Sequence, residues 1–187
     1  MVSNSLRALI WVVFLVGGAI LGVWLDLRFW PGWWGSWLWH LVSAIAGLAV
    51  LQIVLRISKV TGRWLARCGR AGDIPRMQTN RLVVVGPYAC MRHPMHLGLM
   101  LFPLAVALIL GSPSFVFIIA PLEALIILVM VLTIEENEAR GKFGASYAAY
   151  ASRVPPFNLS PDCLRKLLEL PPEQPDCTNP YLRAEGD

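Results

Sequence analysis

Charged residues are scarce in this sequence of 187 residues. Asp, Glu, Lys and Arg make up 15% of the chain, whereas hydrophobic residues make up 56%. Soluble domains carry about 25% charged residues, and a soluble core of this length cannot bury so much apolar surface. The composition therefore argues against an ordinary soluble domain and predicts an all-α membrane protein, because helices satisfy their own backbone hydrogen bonds in lipid.

Several common site motifs are also missing. The four cysteines, Cys68, Cys90, Cys163 and Cys177, form no CxxC pair and show no metal-ligand spacing. We therefore expect reduced, unpaired thiols and no metal. No GxGxxG loop occurs, so nothing indicates the soluble dinucleotide-binding fold. The net charge is +4, but the basic residues lie beside apolar runs, which favours membrane lipids over nucleic acid as their partner.

Four apolar runs are long enough, or nearly so, to cross a bilayer. They cover about residues 6–25, 37–55, 95–110 and 114–134, and roughly twenty helical residues span the hydrocarbon core. No A-x-A cleavage site follows the first run, which predicts a retained span and not a signal peptide. The pattern predicts a polytopic helical bundle of about four transmembrane helices. An aromatic belt at one membrane face is expected from Trp30, Trp33, Trp34, Trp37 and Trp39.

A basic stretch follows the second apolar run. Its first five cations are three or four residues apart, which places them on one face of a helix. Arg76 and Arg81 follow, against one acid, Asp73. The positive-inside rule predicts that this amphipathic extension is cytoplasmic and lies against anionic headgroups. With four spans, both termini and any site beside this stretch are then cytoplasmic. The stripe consists of Arg56, Lys59, Arg63, Arg67 and Arg70.

Gly111-Ser112-Pro113 joins the last two spans with almost no loop. The segments that flank this hairpin must therefore share one membrane face. One is GPYACMRHPMHLG, residues 86–98, and the other is EENEARGKFGASYAAYASRVPPF, residues 135–157. The first supplies cations and the second supplies anions, a pairing that suits a zwitterionic small molecule. A structural interpretation stays open, with Arg92 extended to the interface, His93 capping a helix and solvated glutamates.

The first segment resembles the GxY…RHPxYxG signature of integral membrane methyltransferases, which include isoprenylcysteine carboxyl methyltransferases and phospholipid methyltransferases. The second is similar to the family's paired-glutamate, FG…Y…Y…RVP ending. The resemblance covers about residues 80–157. It implies S-adenosylmethionine as cofactor and a lipid-like or prenylcysteine-type acceptor, as in isoprenylcysteine carboxyl O-methylation. We expect a methyltransferase domain at 1–157, with a catalytic core at about 80–157, and a Pro-rich cytoplasmic tail at 158–187.

The resemblance also implies the site residues. Catalytic roles fall to Arg92, His93, His96 and Glu135. Adjacent helical residues point about 100° apart, so Glu135 and Glu136 should contact different groups, and Glu135 is preferred for the cofactor. The implied cofactor pocket comprises Asn80, Leu82, Val83, Tyr88, His93, Pro94, His96, Glu135 and Glu136. Gly86 is added on chemical grounds, because a glycine lets a backbone amide approach a carboxylate closely.

Two departures from the family pattern bear on the acceptor. His96 stands where tyrosine is usual, and serves as a cofactor ligand or as a base. Val131 stands where carboxyl methyltransferases tend to carry a basic residue, which argues against a prenylcysteine carboxylate.

Within the fourth span, Glu123 is a candidate acceptor contact, or else a neutral acid bonded to a carbonyl that Pro121 frees.

Three other functions compete with the prenylcysteine-type interpretation. Two are phospholipid N-methylation and methylation of a small thiol; the third is a non-catalytic membrane scaffold or small transport component. The tail has seven prolines from Pro155 to Pro180, which predicts a loosely ordered segment with one short helix near 161–170.

Overall fold

The computed structural model describes residues 4–75 and 78–181, apart from the side chains of residues 4–8 and 10; Arg76 lies outside the described residues. Within these ranges all regular secondary structure is helical, as predicted. The α-helices are α1 (Asn4–Phe29), α2 (Pro31–Trp34), α3 (Trp37–Cys68), α4 (Pro94–Leu110), α5 (Ala120–Met130), α6 (Glu136–Ala151) and α7 (Pro161–Leu168). A 3₁₀ turn spans Gly86–Ala89, and π-helical turns span Phe115–Ile119 and Val131–Glu135.

Three stretches are long and apolar enough to cross a membrane: Trp11–Phe29, Trp37–Cys68 and Phe115–Ala151. Helix α4, with 17 residues, is shorter and lies at the lower end of the usual range for spanning helices, about 17–25 residues. Pro94 begins α4. A proline is favourable there because the first N–H groups of a helix have no partner within the helix. The predicted extension of the second span is also confirmed, because α3 continues to Cys68. The protein is therefore an integral membrane helical bundle.

The chain forms two compact units. The first unit comprises Met1–Val54 and Leu99–Leu128. Its buried core includes Phe115, which packs with its neighbours against α1. The hydroxyl of Ser43 donates to the carbonyl of Leu108 at 2.6 Å, and Gly47 lies directly against the backbone of Ile109. Small residues let membrane helices approach closely in this way.

The turn between α4 and α5 is fixed by buried polar bonds within the first unit. Gly111 adopts a positive φ of 67°, a conformation that glycine takes without steric cost. The fully buried carboxylate of Asp26 accepts from the backbone N–H of Ser114 at 2.8 Å and from the hydroxyl of Ser112. The indole of Trp39 donates to the Gly111 carbonyl at 2.7 Å. Asp26, which the sequence did not single out, therefore satisfies polar groups at the start of a helix.

The second unit comprises Leu55–Gly98 and Val129–Asp187, and two disulfides connect its parts. Cys68 pairs with Cys177, and Cys90 pairs with Cys163. The prediction of unpaired thiols was therefore wrong. The partners are 109 and 73 residues apart in sequence, and local spacing contains no information about which distant segments the fold brings together.

The tail is attached to the rest of the second unit at several points as far as Tyr181, in contrast to the loose ordering that was predicted. The predicted short helix is confirmed as α7, whose Cys163 and Leu167 are buried. Two members of the basic stripe also hold the tail: Arg56 donates to the carbonyl of Leu168 at 2.9 Å, and Arg67 donates to that of Pro171 at 3.2 Å. These arginines thus bind backbone carbonyls, where the sequence predicted lipid headgroups.

Candidate functional site

The 3₁₀ turn Gly86–Ala89 places Tyr88 in the core of the second unit. Gly86 has a φ of 62°, and the Trp64 indole occupies the space that a Cβ on Gly86 would need. A glycine is therefore required here by packing as well as by backbone conformation. Tyr88 is buried, and its carbonyl accepts from the hydroxyl of Tyr150 at 2.5 Å.

The two segments that flank the hairpin meet at one carboxylate, as the hairpin argument predicted. Glu136 Oε1 accepts from Arg92 Nε at 2.8 Å, from His93 Nε2 at 2.7 Å and from the Tyr147 hydroxyl at 3.0 Å. The side chains of Arg92 and Glu136 are only 9% and 7% exposed. Charge-assisted bonds of this kind are strong where water is excluded. We call Arg92, His93, Glu136 and Tyr147 the Glu136 cluster.

Arg92 also binds the end of the second segment. Its Nη1 donates to the carbonyls of Ala151 and Val154, each at 2.8 Å. Its backbone N–H donates to the Pro155 carbonyl at 3.0 Å, and that of His93 donates to the Pro156 carbonyl at 3.1 Å. The Arg-His-Pro and Arg-Val-Pro-Pro sequences are therefore hydrogen-bonded to each other. Arg92 is not extended toward the membrane surface, because every one of these bonds is internal.

A cavity of about 200 Å³ lies beside the Glu136 cluster. Glu135 lines it, whereas Glu136 does not. The π-helical turn Val131–Glu135 immediately precedes Glu136, and such turns are frequent at functional sites. Of the predicted site residues, the cavity wall contains Leu82, Val83, Tyr88, Arg92, His93, Pro94, His96 and Glu135.

A larger polar cavity, of about 820 Å³, shares Arg81, Leu82 and Phe143 with the first. The predicted Asn80 lines this one, although its side-chain amide is engaged with the backbone of Ala71, with both bonds at 2.7 Å. Asn80 therefore forms part of the cavity wall, and its side chain connects the two ends of the loop that begins at Ala71. Of the predicted residues, Gly86 and Glu136 line neither cavity; Gly86 packs on Trp64, and Glu136 holds the Glu136 cluster together.

Further wall residues were not predicted as site residues. Phe143, Tyr147 and Tyr150 belong to the second flanking segment, residues 135–157. Their place in that segment could have identified them as site residues. The sequence analysis used Arg81 only as one of the basic residues that predict the orientation of the chain in the membrane. Leu65 and Ala139 carry no local signal, because an apolar helical residue looks the same whether it faces lipid, core or cofactor. The complete set of such residues is Leu65, Thr79, Arg81, Met95, Ala139, Phe143, Tyr147 and Tyr150.

His93 is held as a neutral imidazole. Burial lowers its pKa most strongly, although the hydrogen bond to Glu136 and the charge of Glu136 act in the opposite direction. Because Nε2 donates to a carboxylate, the neutral ring carries its proton on Nε2 and leaves Nδ1 as an acceptor. The His96 ring lies 5.5 Å from that of His93, edge to face. Two imidazoles and one carboxylate, Glu135, therefore line the cavity.

Stability should depend on pH through His93. Because the folded pKa is lowered, the unfolded state binds more protons below about pH 6.5, and stability falls as the pH drops from there toward the folded pKa. Above that window His93 contributes no pH dependence. We expect the wild-type melting temperature to drop more steeply between about pH 8 and about pH 5 than that of His93→Gln.

His93→Gln is the appropriate comparison because its amide still donates to Glu136 and does not titrate. The measurement is thermal unfolding in detergent, followed by circular dichroism at each pH. Parallel losses of stability in the two proteins would show that His93 does not cause the pH dependence.

Comparison with known proteins is consistent with this site. A family model described as phospholipid methyltransferase matches residues 40–146, more than half of the chain. The match begins within α3 and ends within α6, so it includes Arg92, His93, Glu135 and Glu136. No curated protein and no solved structure matches the chain.

Proposed function

Because the chain belongs to the phospholipid methyltransferase family and is a membrane methyltransferase, we propose that it transfers a methyl group from S-adenosylmethionine to a lipid-like acceptor. The observation that supports this most is the cavity beside the Glu136 cluster, where Glu135, His93 and His96 share a wall with four aromatic side chains. Apolar and aromatic side chains in this wall reduce the access of water and so strengthen charge interactions beside them.

The residues present fit this cofactor. S-adenosylmethionine, when bound, supplies a methyl group on a positively charged sulfur. The Glu135 carboxylate would hold positive charge, Arg81 would hold a carboxylate, and the aromatic side chains Tyr88, Phe143 and Tyr150 would hold a planar base. Arg81 and Phe143 also line the larger polar cavity, which is therefore adjacent to this one.

The chain's own groups then do three things. The Glu136 cluster fixes the rings and backbone around the cavity, so that donor and acceptor are held in line at contact distance. The apolar walls exclude water, which would compete with the acceptor. His96 takes the proton that an amine or thiol acceptor must lose, whereas a carboxylate acceptor needs no base.

An amine acceptor is favoured over a prenylcysteine carboxylate. The family model is that of phospholipid methyltransferases. Val131, at the position where a cation would bind a substrate carboxylate, is 1% exposed and apolar. We therefore propose a phospholipid amine as the first candidate acceptor, with the prenylcysteine-type carboxyl and the small thiol as competitors.

We further propose that the second unit faces the cytoplasm. The basic stripe supports this orientation through the positive-inside rule, although the two disulfides are more typical of oxidising compartments. Cytosolic disulfides in most organisms are transient, so this orientation implies that Cys68–Cys177 and Cys90–Cys163 form reversibly.

Cofactor binding tests the proposal at Glu135. We expect Glu135→Gln to weaken S-adenosylmethionine binding by about tenfold to a hundredfold, because a charge-assisted contact contributes about 1.5–3 kcal/mol. The measurement is isothermal titration of purified protein in detergent. Glu173→Gln, an exposed acid in the tail, is the matched control and should bind like the wild type.

The acceptor is identified by transfer of labelled methyl groups into membrane extracts, followed by separation of lipid, protein and volatile fractions. We expect the label in the lipid fraction. Base-labile label in protein would indicate a carboxyl acceptor, and volatile label a thiol. Failure of the wild type to bind S-adenosylmethionine would contradict the proposed function as a whole.

A further inference from the structure

The first unit contains an apolar cavity that the proposed methyl-transfer site does not use. Its volume is about 200 Å³. An engineered protein cavity of about 150 Å³ takes up benzene, so this one has room for an aromatic ring with a short chain. Its wall includes Trp11, Phe14, Phe102, Pro103, Glu123 and Ile127.

Glu123 is the one ionisable group among the described residues of this wall. The residue is only 5% exposed. A methyl group on Gly18 would collide with its Oε1, so the missing side chain of Gly18 makes room for the carboxyl. The alternative that Glu123 bonds a carbonyl freed by Pro121 is not realised in the structure.

No described side chain neutralises this carboxyl. Two basic side chains are described in the first unit, and both have partners other than Glu123. Arg28 lies over the Phe29 ring at 5.7 Å, and His40 bonds the Trp34 carbonyl at 2.7 Å. A charged carboxylate at this position, with no partner among the described side chains, carries a desolvation penalty. A ligand that brings a cation into the cavity would offset this penalty.

The remaining wall defines what kind of cation fits. The rings of Trp11, Phe14 and Phe102 attract positive charge through their π-faces, while Pro103 and Ile127 offer only apolar contact. A strongly hydrated metal ion gains little from such a wall, whereas an ammonium group on an apolar body matches both parts. We propose that this cavity binds a lipophilic amine, with its ammonium group against Glu123 and its apolar body among the ring and aliphatic side chains.

The proposal does not rest on the methyl-transfer function, since no residue of this cavity lines the site in the second unit. The two hypotheses can therefore fail separately.

Equilibrium dialysis with labelled 2-phenylethylamine tests amine binding by this cavity, on the full-length protein in detergent. Its uncharged analogue, 2-phenylethanol, reports binding of the apolar body alone. We expect the wild type to bind the amine at least tenfold more tightly than Glu123→Gln, and both proteins to bind the alcohol equally. Partition into micelles affects both proteins alike, so the difference between them is due to the carboxyl.

Two adjacent glycines supply a second test if Glu123→Gln folds poorly. Gly18→Ala displaces the carboxyl and should weaken amine binding, whereas nothing lies within 4 Å of a Cβ on Gly17, so Gly17→Ala should bind like the wild type. A melting temperature like that of the wild type checks that each variant is intact.

Equal amine binding by wild type and Glu123→Gln would overturn the proposal, as would a wild type that does not prefer the amine to the alcohol. If the wild type binds the amine but no S-adenosylmethionine, the cavity assignment stands and the proposed methyl transfer fails.

Discussion

Replacing Glu136 with glutamine is expected to lower the free energy of unfolding by about 3–5 kcal/mol and to abolish methyl transfer. The reason is the buried charge of Arg92. With Glu136 uncharged, the guanidinium keeps its two carbonyl bonds but loses the Glu136 carboxylate, and its side chain is only 9% exposed. His93 and Tyr147 lose the same charged acceptor.

The measurement is denaturant or thermal unfolding of the purified variant, together with a methyl-transfer assay. Glu173→Gln should change stability by no more than about 0.5 kcal/mol, as surface substitutions do. Glu135→Gln should weaken cofactor binding and lose less stability than Glu136→Gln, which separates the cavity wall from the cluster behind it.

A double substitution gives the sharper result. When both partners of a buried ion pair are replaced by apolar residues, the unpaired charge disappears. We therefore expect Arg92→Met with Glu136→Met to be less destabilised than the sum of the two single variants, by about 0.5–3 kcal/mol, and still inactive. Additive losses, or Glu136→Gln as stable as Glu173→Gln, would refute the role assigned to this pair.

Opening the two disulfides is expected to release the tail from the second unit. Each native disulfide typically contributes about 2–4 kcal/mol, more for a longer closed loop, and these connect residues 109 and 73 positions apart. We expect a reduced protein to unfold at a lower temperature and to be cut by trypsin after Arg165 and Lys166 in α7. The oxidised protein should resist this cleavage.

Single substitutions distinguish the two bridges. Cys177→Ser opens one and Cys90→Ser opens the other, and each should produce part of the effect. A reducing agent should have no further effect on the variant that carries both changes, which controls for damage by the reagent. A reduced tail that resists trypsin as well as the oxidised one would mean that packing of Cys163 and Leu167 and the carbonyl bonds of Arg56 and Arg67 are sufficient to hold it.

Features that depend on local chemistry could be predicted from the sequence. The hydropathy pattern and the Gly111-Ser112-Pro113 turn gave the helices and the hairpin, because bilayer thickness and turn conformation constrain short stretches directly. The meeting of Arg92 with the paired glutamates followed from that hairpin. The same reasoning placed Pro94 at the start of α4.

Features that depend on distant contacts could not be predicted. The disulfides, and the carbonyls that Arg56 and Arg67 bind, involve partners about a hundred residues away. The division of labour between Glu135 and Glu136 is of the same kind: the sequence indicates that they point apart, but only the fold shows that Arg92 and His93 bind Glu136 and not a ligand.

The bonds from Arg92 and His93 to residues 151–156 can form only after those later residues have been synthesised. The carbonyls that they require lie at the end of the apolar stretch Phe115–Ala151 and directly after it. The hydrophobic helices can thus enter the bilayer while the ribosome is still making the segment that completes the pocket. A nascent chain that stops before Val154 therefore lacks part of the pocket's framework, and the site is complete only once residues 151–156 have been made.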